Sequence, residues 1–399
     1  MRRPLVPILI AAVVFLVAVL LATQGGKKVA TTPPPATPIP QASFVPGLPT
    51  PTESVLPGMP PLLNPTNIYA ADAANQFSPT VKGYPSLIYV PNTLSNSVDV
   101  IDPKTDQIVE HFAVGKDPEH VVPAWDLKTL YVTSDEGNSL TPIDASTGRP
   151  GPAIRVEDPY NLYFTPDGQY AIVVAERLKE LNFANPSTWQ VTHSLPVPCK
   201  GVDHIDFSAD GTYLLATCEF GGNLIKVDVA TQQVVASLQL PSKGRTLAQP
   251  QDIKLSPDGK TFYVADMTAG GVYLVNGATM TQEGFLPTGK NAHGLYVSRD
   301  AQDLYVANRG SGSVSVVSFA NRQVAATWSI PGGGSPDMGG VSADGSVLWL
   351  SGRYNSEVYG FNTTTGALVA RIPVGSGPHG LCVYPQPGRY SLGHTGILR

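Results

Sequence analysis

Four of the seven histidines in this 399-residue chain recur at matching points of a repeated run. They are His120, His204, His293 and His379. Acids stand beside them or at the same point of other copies: Glu119, Asp203, Asp252 and Asp337. Neutral imidazole suits copper, zinc and iron, and a carboxylate or the thioether of Met338 can complete such a shell. Brought to one point, the four histidines would make a transition-metal site, which is the cofactor expectation of the sequence. One detail opposes it. His120 and His204 share one register, whereas His293 and His379 stand one residue earlier, and side-chain direction alternates along a strand. The competing expectation is a hydrated polar funnel without metal.

The same column carries Tyr160, Asn161 and Gln251. The expected ligand-contacting set is Glu119, His120, Asn161, Asp203, His204, Asp252, His293, Asp337 and His379, joined by Arg309 and Arg353 from neighbouring loops. A guanidinium presents two parallel donors to a carboxylate ligand. The alternative for both arginines is salt bridging between blades, or solvent. His111 and His193 fall in outer strands and His394 in the C-terminal tail. No catalytic residue is assignable. There is no Gly-x-Ser-x-Gly elbow and no Cys-x-x-Cys-His haem attachment. Gly332-Gly333-Gly334 lies between two strands rather than between a strand and a helix, so it is not a phosphate loop.

The elements that must position these residues repeat. A run of the form Pro-x-x followed by an apolar strand begins near positions 118, 159, 202, 250, 292, 336 and 378, at intervals of 41 to 48 residues. A period of ~40–45 residues with four strands per unit is the mark of a β-propeller. Each inner strand, such as Ile253-Lys254-Leu255, leads into a turn such as Ser256-Pro257-Asp258-Gly259, where Pro presets φ and Gly supplies positive φ. A second strand follows, for example Phe262-Tyr263-Val264, rich in the β-branched and aromatic residues that pack between blades. Third and fourth strands end the unit. Leu87 to Val109 reads as strands two to four without an inner strand, and Leu381-Cys382-Val383 as an inner strand without successors. Joined, they make a composite blade that closes a seven-bladed ring and removes exposed edges.

Leu304-Tyr305-Val306-Ala307-Asn308, Phe262-Tyr263-Val264-Ala265-Asp266 and Tyr131-Val132-Thr133-Ser134, with the Pro-x-Gly and Ser-Pro-Asp-Gly patterns, resemble the Tyr-Val-Thr-Asn (YncE-like) propeller repeat family. The resemblance covers about residues 85–385 and implies an all-β, seven-bladed propeller of four-stranded blades. It does not fix an activity, and the Pro-His-Gly form of the inner-strand entry is common in such repeats. Ala175 to Glu180 departs from the pattern, with charged residues where a small polar loop is usual.

The rest of the chain is read from composition. An uncharged run from Leu5 to Thr23 follows Arg2 and Arg3. At ~1.5 Å per residue it would span ~28 Å, close to a bilayer core. A membrane anchor over 1–28 is expected, with a cleaved signal peptide as the alternative. A Pro-rich linker over 29–84, of which Asn67 to Tyr84 either folds against the propeller or stays mobile, the propeller over 85–385 and a tail over 386–399 complete the division. The propeller is expected outside the cytoplasm. Net charge is −5, with no basic footprint, so nucleic acid is not an expected partner. Cys199 and Cys218 flank one inner strand pair, as a disulfide or as two thiols, and Cys382 reads as a buried side chain. The expected function is a membrane-tethered module binding a protein or small ligand. A metal-dependent copper or iron oxidoreductase and, by fold analogy, a lactonase-like hydrolase are the alternatives.

Overall fold

A computed structural model of the chain describes residues 55–399 and the two-residue strand Ser43–Phe44. The expected anchor and, apart from that strand, the Pro-rich linker up to residue 54 lie outside these residues. Among the described residues no helix is long and apolar enough to cross a membrane.

Seven antiparallel sheets carry the chain. Six open on the inner strands Pro118–Pro123, Asn161–Phe164, Val202–Phe207, Pro250–Leu255, Ala292–Val297 and Pro336–Val341. The seventh joins Cys382–Tyr384 to Leu87–Asn92, Ser97–Asp102 and Gln107–Ala113, with Ile88 opposite Val383 and Tyr89 opposite Cys382. The ring is therefore closed by pairing the first strands with the last, as the repeat requires. Inner strands are buried along all or nearly all of their length, while outer strands such as Gln107–Ala113 are mostly exposed. This follows from geometry, because strands near the axis are covered by blades on both faces and the outermost strands are not. Between blades the core is built from residues such as Val202, Ile205, Phe207, Leu214 and Ile225, all fully buried.

The Ser-x-Asp-Gly turns work as their residues suggest. Ser256 Oγ donates to Asp258 Oδ1 at 2.6 Å and accepts from Thr261 N–H at 3.0 Å, and Gly259 takes φ +73°. Cys199 and Cys218 form a disulfide with a Cα separation of 5.5 Å, tying the entry of one inner strand to the end of its neighbour. Cys382 is free and buried.

Two segments pack more closely than composition alone requires, and for Asn67 to Tyr84 this is one of the two expected courses. Residues 55–84, grouped with the linker for their prolines, cross one face of the ring. Leu56 N–H donates to Asp210 O, Ile68 N–H to Pro257 O and Asn75 N–H to Ala343 O, at 2.8–2.9 Å. Leu56, Ile68, Tyr69 and Val81 are buried there, so scattered apolar side chains outweigh the extended tendency of the prolines. The last residues are not a loose tail either. The strands Ser391–Gly393 and Ile397–Leu398 form a hairpin that pairs with the inner strand Asn161–Phe164, with Tyr163 opposite Gly393. Tyr390, Leu392, His394 and Leu398 are buried, so the hairpin fills the axis of the ring.

Candidate metal centre in the propeller channel

The Pro-x-x run owes its role to a register shift. In five inner strands the pairing with the second strand slips between Pro118 and Val121, Val202 and Ile205, Pro250 and Ile253, Ala292 and Leu295, and Pro336 and Gly339. The two residues inside each slip leave the ladder, and such bulges re-aim side chains. Glu119-His120, Asp203-His204, Gln251-Asp252, His293-Gly294 and Asp337-Met338 are these residues. The freed backbone N–H of His120, His204 and Met338 is accepted by the hydroxyls of Thr133, Thr217 and Ser351 at 3.0–3.2 Å. The bulge is why histidines from two registers meet, which strict alternation would not allow.

All four column histidines converge, and His394 joins them from the hairpin. Ring centroids are 5.2 Å apart for His120–His394, 4.8 Å for His394–His204 and 6.2 Å for His204–His293. They are 5.9 Å apart for His293–His379 and 4.9 Å for His379–His120, which closes the circuit. Every one of these rings is at most 3% exposed. Two triads stand out. One ligand atom from each of His120, His204 and His394 lies within 4.8 Å of the other two, and the same holds for His293, Asp337 and His379.

The two triads differ in charge. In the first, Nε2 of His120, His204 and His394 is buried without a hydrogen-bond partner. Asp203 lies 3.2 Å from His204 Nε2, is 1% exposed, and has no hydrogen-bond partner at either oxygen. Burial, with Glu219 and Glu176 nearby, pushes its carboxyl well above the usual range. Burial and the adjoining Glu219 likewise raise Glu176 to about 7. This side of the channel thus holds acid groups that lack a counter-cation. In the second triad the charge is already matched. Asp337 Oδ1 accepts from Arg309 Nε at 2.9 Å and also from Nη2, and lies 3.0 Å from His293 Nδ1. Glu119 lies 3.3 Å from Arg353 and contacts His379. Burial pushes Glu119 up, but Arg353 and His379 together outweigh it and hold the carboxyl at about 2.

Burial also lowers every ring imidazole below its ordinary value, His120 and His293 to about 3. Neutral imidazole is the form that binds metals. Unfolded, a histidine titrates near 6.5, so below that pH the unfolded chain binds the proton more tightly than the folded one. The contribution of these two rings to stability is full above pH 6.5 and is lost as pH falls toward 3. Glu176 acts with the opposite sign, its contribution present at low pH and lost as pH rises through about 7. In an NMR titration of the metal-free protein, no imidazole resonance of His120 or His293 is expected to move between pH ~8 and ~5. A midpoint inside that range would contradict their burial as neutral rings.

The remaining expected residues take structural positions. Asp252 accepts from Ile253 N–H and Leu295 N–H, each at 2.8 Å, and from Lys254 Nζ at 3.2 Å, which makes it a clasp between adjacent inner strands. Arg309 and Arg353 make salt bridges between blades, one of the alternatives their positions offered. Asn161 donates from Nδ2 toward Nδ1 of both His204 and His394 at 3.1 Å. His394 is the residue that sequence reasoning set aside. Its segment lacks the repeat, and the alternation of small and apolar residues in Ser391-Leu392-Gly393 is a signal too short to mark a strand.

A family model described as a YNCE-like beta-propeller matches residues 56–388. No curated protein matches the sequence. Among solved structures, the chain is similar to Kuenenia stuttgartiensis hydrazine synthase, with 19% identity, a TM-score of 0.59, and coverage of 80% of this chain and 99% of that one. Dihydro-heme d1 dehydrogenase NirN, solved in complex with DHE, has 14% identity, a TM-score of 0.57 and coverage of 74% and 75%. A putative 6-phosphogluconolactonase from Bacteroides uniformis ATCC 8492 has 16% identity, a TM-score of 0.58 and coverage of 74% and 99%. At these identities the likeness concerns the fold alone.

Proposed function

The chain belongs to the YNCE-like β-propeller family, and from that premise we propose that it is a binding module whose ligand is a transition-metal ion held in the channel. The observation that carries this reading is the first triad. Three buried neutral imidazoles, two from bulges and one from the C-terminal hairpin, each leave Nε2 without a hydrogen-bond partner, and one ligand nitrogen from each lies within 4.8 Å of the other two, beside the buried carboxyl of Asp203. A buried polar atom without a partner costs about 1–3 kcal/mol, so three together need a reason. A divalent cation supplies one, because it takes the three nitrogens and favours the ionised form of Asp203 that burial alone disfavours. His120, His204 and His394 would hold the ion, and Asp203 would provide charge next to His204. Zinc and copper suit an imidazole-rich set.

The setting we propose is extracytoplasmic, with the apolar run Leu5 to Thr23 as a membrane tether. The Cys199–Cys218 disulfide supports it, since such bonds persist in oxidising compartments. The oxidoreductase alternative would use the same ion. The lactonase alternative has the shared fold behind it and no arrangement of residues among those described.

The test is metal binding by the intact chain, purified without a histidine tag and titrated with Zn²⁺ and Cu²⁺ against a chromophoric chelator. About one equivalent per chain is expected, with Co²⁺ giving the visible spectrum of a nitrogen-rich site. Failure to take up any of these ions after reconstitution would overturn the reading.

A further inference from the structure

The partners of the three Nδ1 atoms divide the first triad. His120 Nδ1 lies 3.0 Å from Tyr160 O, a carbonyl that only accepts. That ring carries its proton on Nδ1 and turns a lone pair inward from Nε2. His204 and His394 are arranged the other way. Nδ1 of each lies 3.1 Å from Asn161 Nδ2, and the amide is oriented by its own oxygen, which accepts from Leu162 N–H at 2.8 Å. An amide nitrogen donates and does not accept. Both Nδ1 atoms must therefore accept, and each neutral ring carries its proton on Nε2, the nitrogen an ion would need.

We propose that Asn161 is a positioning residue that keeps the metal affinity of the channel low, by holding His204 and His394 in the tautomer that cannot coordinate through Nε2. The inference rests on the metal reading above. Uptake then requires each ring to give up its Nε2 proton and take one at Nδ1 by exchange with water, with no net gain or loss. Asn161 must turn its carbonyl toward the two rings and forgo the bond from Leu162 N–H. Ligating histidines ordinarily rest their second N–H on a carboxylate or carbonyl. Here a donor stands where that acceptor belongs, so the ion is held for exchange and not as a permanent part of the fold.

Asn161→Asp removes the conflict without moving an atom. One oxygen keeps the Leu162 N–H, and the other takes the place of Nδ2, within reach of both Nδ1–H groups. Tyr163 Oη, 3.2 Å from that position, already accepts from Ile205 N–H at 3.0 Å and is free to turn its own proton to the new oxygen. Wild-type and Asn161→Asp intact chains are compared by Zn²⁺ competition titration. The variant is expected to bind ~10–100-fold more tightly, the scale on which outer-shell partners act. Equal or weaker binding by the variant, with a wild type that does bind, overturns this inference and leaves the metal reading standing. Binding by the variant alone supports it, and no binding by either overturns both. Should the variant not fold, ¹⁵N spectra of the wild-type imidazoles decide. His204 and His394 protonated at Nε2 without Zn²⁺ and at Nδ1 with it is the expected result. Rings already protonated at Nδ1 in the metal-free protein would overturn the inference.

Discussion

His394→Ala is expected to reduce metal affinity by more than ~100-fold while the propeller stays folded, because losing a ligand should cost more than losing an outer-shell partner. The fold should survive because the hairpin is anchored at other points. The pairing of Tyr163 with Gly393 is a backbone contact, and the bond from His394 N–H to Leu162 O at 2.9 Å does not involve the imidazole. Arg399 further holds the segment through Asp206 at 3.2 Å. Zn²⁺ competition and a thermal melt, run on the same sample, check both halves. Wild-type affinity in this variant would remove the C-terminal hairpin from the site.

Arg309→Ala should instead act on stability, by about 3–5 kcal/mol, the cost of leaving one member of a buried ion pair without its partner. Asp337 is fully buried, and burial alone would push its carboxyl upward. Arg309, with His293 and His379, outweighs burial and holds it well below the usual carboxylate range. The stability that Asp337 contributes is thus present above its ordinary value of 3.8 and is lost as pH falls through its lowered folded value. In the variant the carboxyl loses its principal partner and the cost appears at neutral pH. Denaturant unfolding measures it. Adding Asp337→Asn should recover part of the loss, since the stranded charge is gone, and a double-mutant cycle gives the coupling. Simple additivity of the two substitutions would show that the pair does not act as a unit.

The ring itself was legible because the signals that specify it are local and repeated. A turn such as Ser256 to Gly259 announces its geometry within four residues, and the missing inner strand at one end matches the surplus one at the other. The channel was legible only in part. The column of histidines is a matter of counting, but its convergence depends on bulges such as that between Pro118 and Val121, which arise when two strands pair and leave no mark in either one alone. The contact of Asn161 with His394 joins residues 233 positions apart, through a segment with no repeat to align. The course of residues 55–84 was legible only as an open choice, for a related reason. Proline content speaks to the isolated chain, whereas Ile68 and Tyr69 find their partners only on the finished surface of the ring.

The bulges also separate upkeep from employment. At each slip the ladder resumes on the far side, as Val121 opposite Val132 and Ile205 opposite Ala216 show, and a hydroxyl from the second strand takes over the main-chain bond in three of the five cases. What stands at positions such as 119–120 or 203–204 is therefore not asked to complete the backbone ladder, and clasps such as Glu119 with Arg353 or Asp337 with Arg309 are a separate layer. A propeller built this way can exchange those lining residues that make no such clasp, trading imidazole for amide or carboxylate, with little disturbance to the wheel that carries it.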